Sequence, residues 1–98
     1  MRPIHSARLD KTRPVLILTR EVVRPHLSRV TAAPITCSIR GLSTEVPVGP
    51  ANGLDHDSVG SCDIVTVPVS ALGRQLGFLL TGQETALAEA IRAAFDLD

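Results

Sequence analysis

Residues 15–19, Val-Leu-Ile-Leu-Thr, form an apolar run that does not alternate and is too short for a helix of several turns. Opened by Pro14, such a run reads as a β-strand buried on both faces. This constrains the chain more than any other feature, because only 98 residues are available to cover both sides of that strand. A chain of this length supports a single domain with a modest core, so one unit over residues 1–98 is expected. Lys11 and Arg13 stand just ahead of the strand, fixed cations at the mouth of a buried element. Pro14 lacks a donor, fits the first position of a strand, and biases Arg13 toward an extended conformation.

The remaining segments read as short strands around this one. Residues 4–9 form a first strand, joined to the second by a very tight connection through Asp10, Lys11 and Thr12. Residues 20–28 (REVVRPHLS) are polar, broken by Pro25, and read as a loop with a helical turn. Residues 30–39 (VTAAPITCSI) read as the next strand, with Pro34 marking a bulge or an edge. Gly41 turns the chain into an alternating strand at 44–48 (TEVPV), which ends at GPANGLDHD, rich in turn residues. Residues 58–69 (SVGSCDIVTVPV) supply another β segment, and 77–80 (GFLL) a last one. Thr81 and Glu84 have capping-box spacing for a helix over about 83–95, with Leu87, Ile91, Ala94 and Phe95 on its core-facing stripe. The sum is mainly β, a small barrel of short strands with a C-terminal helix.

Composition removes several classes of function. No apolar run approaches the roughly 20 residues needed to cross a bilayer. The N-terminus lacks the apolar core of a secretory signal, so a cytoplasmic protein with no membrane partner is expected. Aromatic residues are 2% of the chain, with no Trp or Tyr, which leaves little for base-stacking platforms or aromatic peptide grooves. Net charge is zero, yet residues 1–40 hold eight Lys/Arg against two acids and the rest holds two against eight. That asymmetry suggests a basic surface suited to a polyanion.

Cys37 and Cys62 form no CxxC and have no histidine at ligand spacing, so buried reduced thiols are expected rather than zinc. His5, His26 and His56 match no metal motif and read as surface or turn histidines. Asp55, His56 and Asp57 are adjacent on a turn and do not easily converge on one ion, so the segment reads as a turn leading into a strand. No cofactor is implied.

Taken in order, "KTRPVLILT", "VTAAPITCSI", "STEVPV", "LDHDSVGSCDIVTVPVSALG" and a closing helix resemble the MazF/PemK toxins, with the similarity running from about Arg2 to Leu97. The short first connection is most similar to actinobacterial members. The resemblance implies an SH3-like barrel and a metal-independent endoribonuclease that acts as a homodimer on RNA and is neutralised by a MazE-like antitoxin with an acidic segment. It also implies site residues. Arg13 would stabilise charge building on the phosphoryl oxygens, for which a planar, permanently charged guanidinium is suited. Thr36 would align the scissile phosphate through its hydroxyl. Lys11, Thr12 and Ser38 would contact RNA, as would Glu45, which stands where some relatives have a substrate-contacting histidine; Asp63 is a further contact candidate.

One departure from the family pattern bears on mechanism. Many relatives carry a long loop between the first two strands with an acid proposed to assist proton transfer, and here Leu9–Thr12 replaces it. Arginine is a poor base at a pKa above roughly 12. Asp10, the only acid close in sequence to Arg13, is the candidate proton acceptor, and it is equally a turn residue. An open groove is consistent with a structured target such as tRNA or rRNA, as well as mRNA. Two other classes stay open at this stage: a non-enzymatic toxin of the CcdB type that binds a protein such as gyrase, and an SH3-like adaptor, which the lack of aromatics disfavours.

Overall fold

The computed structural model describes residues 2–97. Among them are seven strands, β1 (Pro3–Arg8), β2 (Thr12–Ile17), β3 (Arg29–Thr36), β4 (Glu45–Val48), β5 (Ser58–Ser61), β6 (Val65–Pro68) and β7 (Leu72–Phe78), followed by helix α1 (Glu84–Phe95). Val15, Leu16 and Ile17 of β2 are all buried. Leu16 packs with Ile4, Ala33, Ile35, Leu79 and the helix residues Leu87 and Ala90. Val15 and Ile17 pack with Ala7, Val30, Ala32 and Val67. Successive side chains of a strand leave opposite faces, so a run without alternation is what two covered faces require. Each such aliphatic side chain contributes about 1.5–3 kcal/mol by its burial.

The sheet is antiparallel throughout, in the order β4-β5-β3-β2-β1-β7, with β6 also paired to β3. β6 lies along the first half of β3 and β7 along β1, so the single 3-10 turn Val69–Ala71 carries the chain from one flank of the central three strands to the other. That crossing curls the sheet around the Val15–Ile17 cluster, while α1 closes the opposite face. The result is the small, mainly β architecture with a C-terminal helix expected of an SH3-like barrel.

Several boundaries differ from the sequence reading. Pro14 is the third residue of β2, not its first, and stands opposite Ser6. Arg13 therefore lies within the strand. Pro34 falls where β3 changes partner, after Arg29–Ala32 on β6 and before Ile35–Thr36 on β5. The segment 58–69 is two strands, β5 and β6, because the chain leaves one ladder and joins the other between Cys62 and Ile64. The last strand is Leu72–Phe78 rather than 77–80; Arg74 and Gln75 are exposed, which hid its period in the sequence. The Thr81–Glu84 capping box does not form. Instead the Leu80 N–H donates to Gln83 Oε1 at 2.9 Å, and Glu84 pairs with Arg2 at 3.1 Å. On α1, Leu87 and Ala90 are the buried positions, while Phe95 is 49% exposed.

Candidate active site

The turn at Leu9–Lys11 joins β1 to β2 with one Asp at its tip. Asp10 Oδ1 accepts the Lys11 N–H at 3.0 Å, a local bond that fixes the turn. From there the register of the central hairpins decides what meets what. Val15 stands opposite Pro34 at the end of the β2–β3 ladder. Arg13 and Thr36 lie two residues beyond it on their strands, and both line the same two depressions.

Arg13 and Thr36 form a ridge shared by two adjoining depressions. One, of about 290 Å³, is lined by Lys11, Pro14, Ile35, Leu54, Asp55 and His56 together with the ridge. The other, of about 300 Å³, includes Ser38, Arg40, Glu45 and Asp63. The structure therefore gathers Lys11, Arg13, Thr36, Ser38, Glu45 and Asp63 along one groove. It leaves Thr12 out: that side chain lines a separate hollow with Ser6, Arg8 and Ser70, because alternate residues of β2 face opposite ways.

The polar geometry of the ridge leaves donors to spare. Arg13 Nη2 lies 3.1 Å and 3.2 Å from the two carboxylate oxygens of Asp10. With Asp10 74% exposed, this pair adds little to stability and acts mainly by orienting the guanidinium. Arg13 Nε is enclosed and has no hydrogen-bond partner among the described residues. Thr36 Oγ1 accepts the Ser38 N–H at 3.1 Å, which orients the hydroxyl and leaves its proton free for a ligand. The arrangement can hold a tetrahedral anion between a fixed cation and a hydroxyl.

Other site expectations fare differently. Glu45 Oε1 accepts the N–H groups of Arg40 at 3.2 Å and Leu42 at 3.1 Å, so one of its oxygens holds the loop around Gly41, whose φ is +74°. Cys62 is buried, and burial raises its thiol pKa, but Cys37 is exposed in the groove, which corrects the expectation of two buried thiols. Both are free thiols, in keeping with the reduced state expected. His5 is half-buried on β1 rather than in a turn, its Nδ1 3.1 Å from the Gly73 carbonyl oxygen. His26 sits in the 3-10 turn Arg24–His26 and His56 on the bend before β5. The sequence reading gave His56 no role beyond a turn histidine and did not single out Leu54; the fold sets both at the border of the groove.

Arg2 of the basic half pairs with Glu84 of the acidic half across the termini, and Arg13 and Arg40 share a depression with Glu45 and Asp63.

Comparison with known proteins covers nearly the whole chain. Residues 3–95 match the family described as PemK-like, MazF-like toxin of type II toxin-antitoxin system. The chain is 70% identical, over its full length and 96% of the relative's, to the endoribonuclease MazF3 of Mycobacterium tuberculosis. The solved structure of the Mycobacterium tuberculosis toxin MazF-mt6 superposes with a TM-score of 0.97 at 68% identity, covering 99% of both chains. A mycobacterial endoribonuclease solved in complex with its cognate antitoxin gives a TM-score of 0.88 at 25% identity, covering 98% of this chain and 93% of that one.

Proposed function

The chain belongs to the PemK-like, MazF-like toxins of type II toxin–antitoxin systems, and on that premise we propose that it is an endoribonuclease cutting at the Arg13–Thr36 ridge. It is a single MazF-like domain that acts in the cytoplasm as a homodimer, and a MazE-like antitoxin with an acidic segment neutralises it. No helix among the described residues is long and apolar enough to cross a membrane. The one observation that carries the proposal is the meeting of Arg13 and Thr36 at the junction of two depressions. Relatives named as endoribonucleases favour cleavage over the alternative of a non-enzymatic, gyrase-binding toxin.

In the reaction, RNA lies along the groove with its scissile phosphate on the ridge. The 2′-OH attacks the neighbouring phosphorus, forming a 2′,3′-cyclic phosphate as the P–O5′ bond breaks and the departing 5′-oxygen takes a proton from water. Arg13 stabilises the charge that builds on the phosphoryl oxygens, a role whose removal costs about 10²–10³ in rate elsewhere. Thr36 donates its hydroxyl to one of those oxygens and fixes the in-line geometry. Asp10, held beside Arg13 yet open to solvent, takes the 2′-OH proton. Lys11 and Ser38 steady the backbone on either side, and Asp63 lines the same groove.

The test is digestion of a mixed RNA pool in EDTA, with mapping of the ends. Products with 5′-hydroxyl and 2′,3′-cyclic phosphate ends are expected, and Arg13→Ala or Thr36→Ala should lose cleavage and toxicity together. Full toxicity in both variants would move the protein to the non-enzymatic class. Intact tRNA and rRNA beside cut mRNA would count against a structured target.

A further inference from the structure

Asp55 and His56 contributed nothing to the reaction just described, yet they line the groove on one side of the ridge. The two depressions flanking the ridge differ in chemistry. On one side Pro14, Ile35 and Leu54 make apolar walls, with Lys11, Asp55 and His56 as a polar rim. On the other, Arg40, Glu45, Asp63 and two serines make a charged trough. A slot with apolar walls and a few convergent polar groups suits a flat ligand read by its edge. A charged trough suits a sugar–phosphate backbone, which carries no sequence information.

We propose that the slot receives the nucleobase next to the cleaved bond and that Asp55 and His56 read its edge, so that these two residues set base preference at that position. The inference rests on the endoribonuclease reading and deepens it. Asp55 as a carboxylate only accepts hydrogen bonds. The exocyclic amino group of cytosine, adenine or guanine satisfies it, whereas uracil has only its N3–H to offer, set between two carbonyl oxygens that the same negative charge repels. His56 offers a ring nitrogen as donor or acceptor for a second edge atom.

Three features make the rim a reader rather than a loose loop. Both side chains are exposed, and no hydrogen bond or ion pair among the described residues engages either of them. The backbone beneath is held: Ser58 Oγ donates to the His56 carbonyl at 3.0 Å, and the Leu54 N–H donates to the Gly49 carbonyl at 3.4 Å. The same loop is anchored by buried Asn52, whose Oδ1 accepts the Gly49 N–H at 3.0 Å. With the backbone already held, binding has only the two side chains left to order.

The experiment digests a fully randomised RNA oligonucleotide pool and sequences the 5′-hydroxyl ends for wild type, Asp55→Asn, His56→Ala and Arg13→Ala, each checked for a native melt. Asparagine offers a donor as well as an acceptor, so Asp55→Asn should raise uracil relative to amino-bearing bases by roughly fivefold or more at one position adjoining the cut. His56→Ala should flatten preference at that same position and leave the others unchanged. Unaltered preferences in both variants, or a loss spread evenly over all sequences, would overturn the inference. Failure of the parent reading looks different: no cleavage by wild type, or undiminished cleavage by Arg13→Ala.

Discussion

Replacing Asn52 should cost more than replacing any exposed polar residue of the groove, and the amount follows from its partners. The side chain is 1% exposed. Its Oδ1 accepts from the Gly49 N–H at 3.0 Å and from Gln83 Nε2 at 3.2 Å; its Nδ2 donates to the Phe78 carbonyl at 2.9 Å and to Gln83 Oε1 at 2.7 Å. One amide thus ties the loop after β4 to the end of β7 and the start of α1. In Asn52→Ala, Gln83 keeps Leu80 and Pro47 as partners and reaches water. The enclosed Gly49 N–H has no such recourse, and an orphaned buried donor costs about 1–3 kcal/mol. With the smaller loss at Phe78, the expected destabilisation is roughly 2–4 kcal/mol. At roughly 4–8 °C per kcal/mol for a domain of this size, Tm should fall by roughly 8–32 °C. Thermal and urea melts followed by far-UV circular dichroism, at fixed protein concentration, measure it. Asn52→Leu separates polarity from volume, since it fills the space and makes none of the bonds. A loss below about 1 kcal/mol in Asn52→Ala, or a Leu variant as stable as wild type, would refute the reasoning.

Gly77→Ala would place its Cβ 2.6 Å from the Asn52 carbonyl carbon and 3.1 Å from the Gly53 nitrogen, so β7 must separate from the loop, at a cost of roughly 2–4 kcal/mol; a melt matching wild type would contradict this. Asp10→Asn should lower single-turnover cleavage by about 10²–10⁴ if Asp10 takes the 2′-OH proton, and far less if it only orients Arg13, because the amide can still accept from the guanidinium. Native protein should react with maleimide at Cys37 alone, Cys62 labelling only on unfolding, and an adduct at Cys37 should block the slot. Because burial raises the Cys62 pKa, the folded state favours the neutral thiol; that contribution is complete below the ordinary thiol pKa and is lost as pH rises through the raised one. Urea midpoints should therefore fall in alkaline buffer, and Cys62→Ala should remove part of that slope.

What the sequence disclosed followed from strong local signals. A non-alternating run between a proline and a threonine could only be a doubly covered strand, and it proved to be so at Val15–Ile17. The tight Leu9–Lys11 turn was legible because too few residues were available for anything longer. The break between β5 and β6 was not, because Val59 and Val67 carry the same local pattern and only their partners differ. β7 was misread because Gly73 and Gly77 interrupt its apolar pattern and exposed Arg74 and Gln75 flank its middle. Arg13 and Thr36 were found by motif, but their meeting at one ridge came from the fold, as did the approach of His56 and Leu54 from the loop after β4.

The sheet order has a consequence for when the groove can be completed during synthesis. β1 has two neighbours, β2 beside it in sequence and β7 far downstream, with Pro3 opposite Phe78 and the Leu79 N–H donating to the Arg2 carbonyl. Both ridge residues have been synthesised once residue 36 is added, but the outer edge of β1 waits for residue 78. At roughly 5–20 residues per second, that delay is roughly 2–8 s of translation. Throughout it Arg13 and Thr36 exist in the chain without the completed sheet around them. The order of the strands thus ties the finished groove to the last quarter of synthesis, because β1 gains its second neighbour only there.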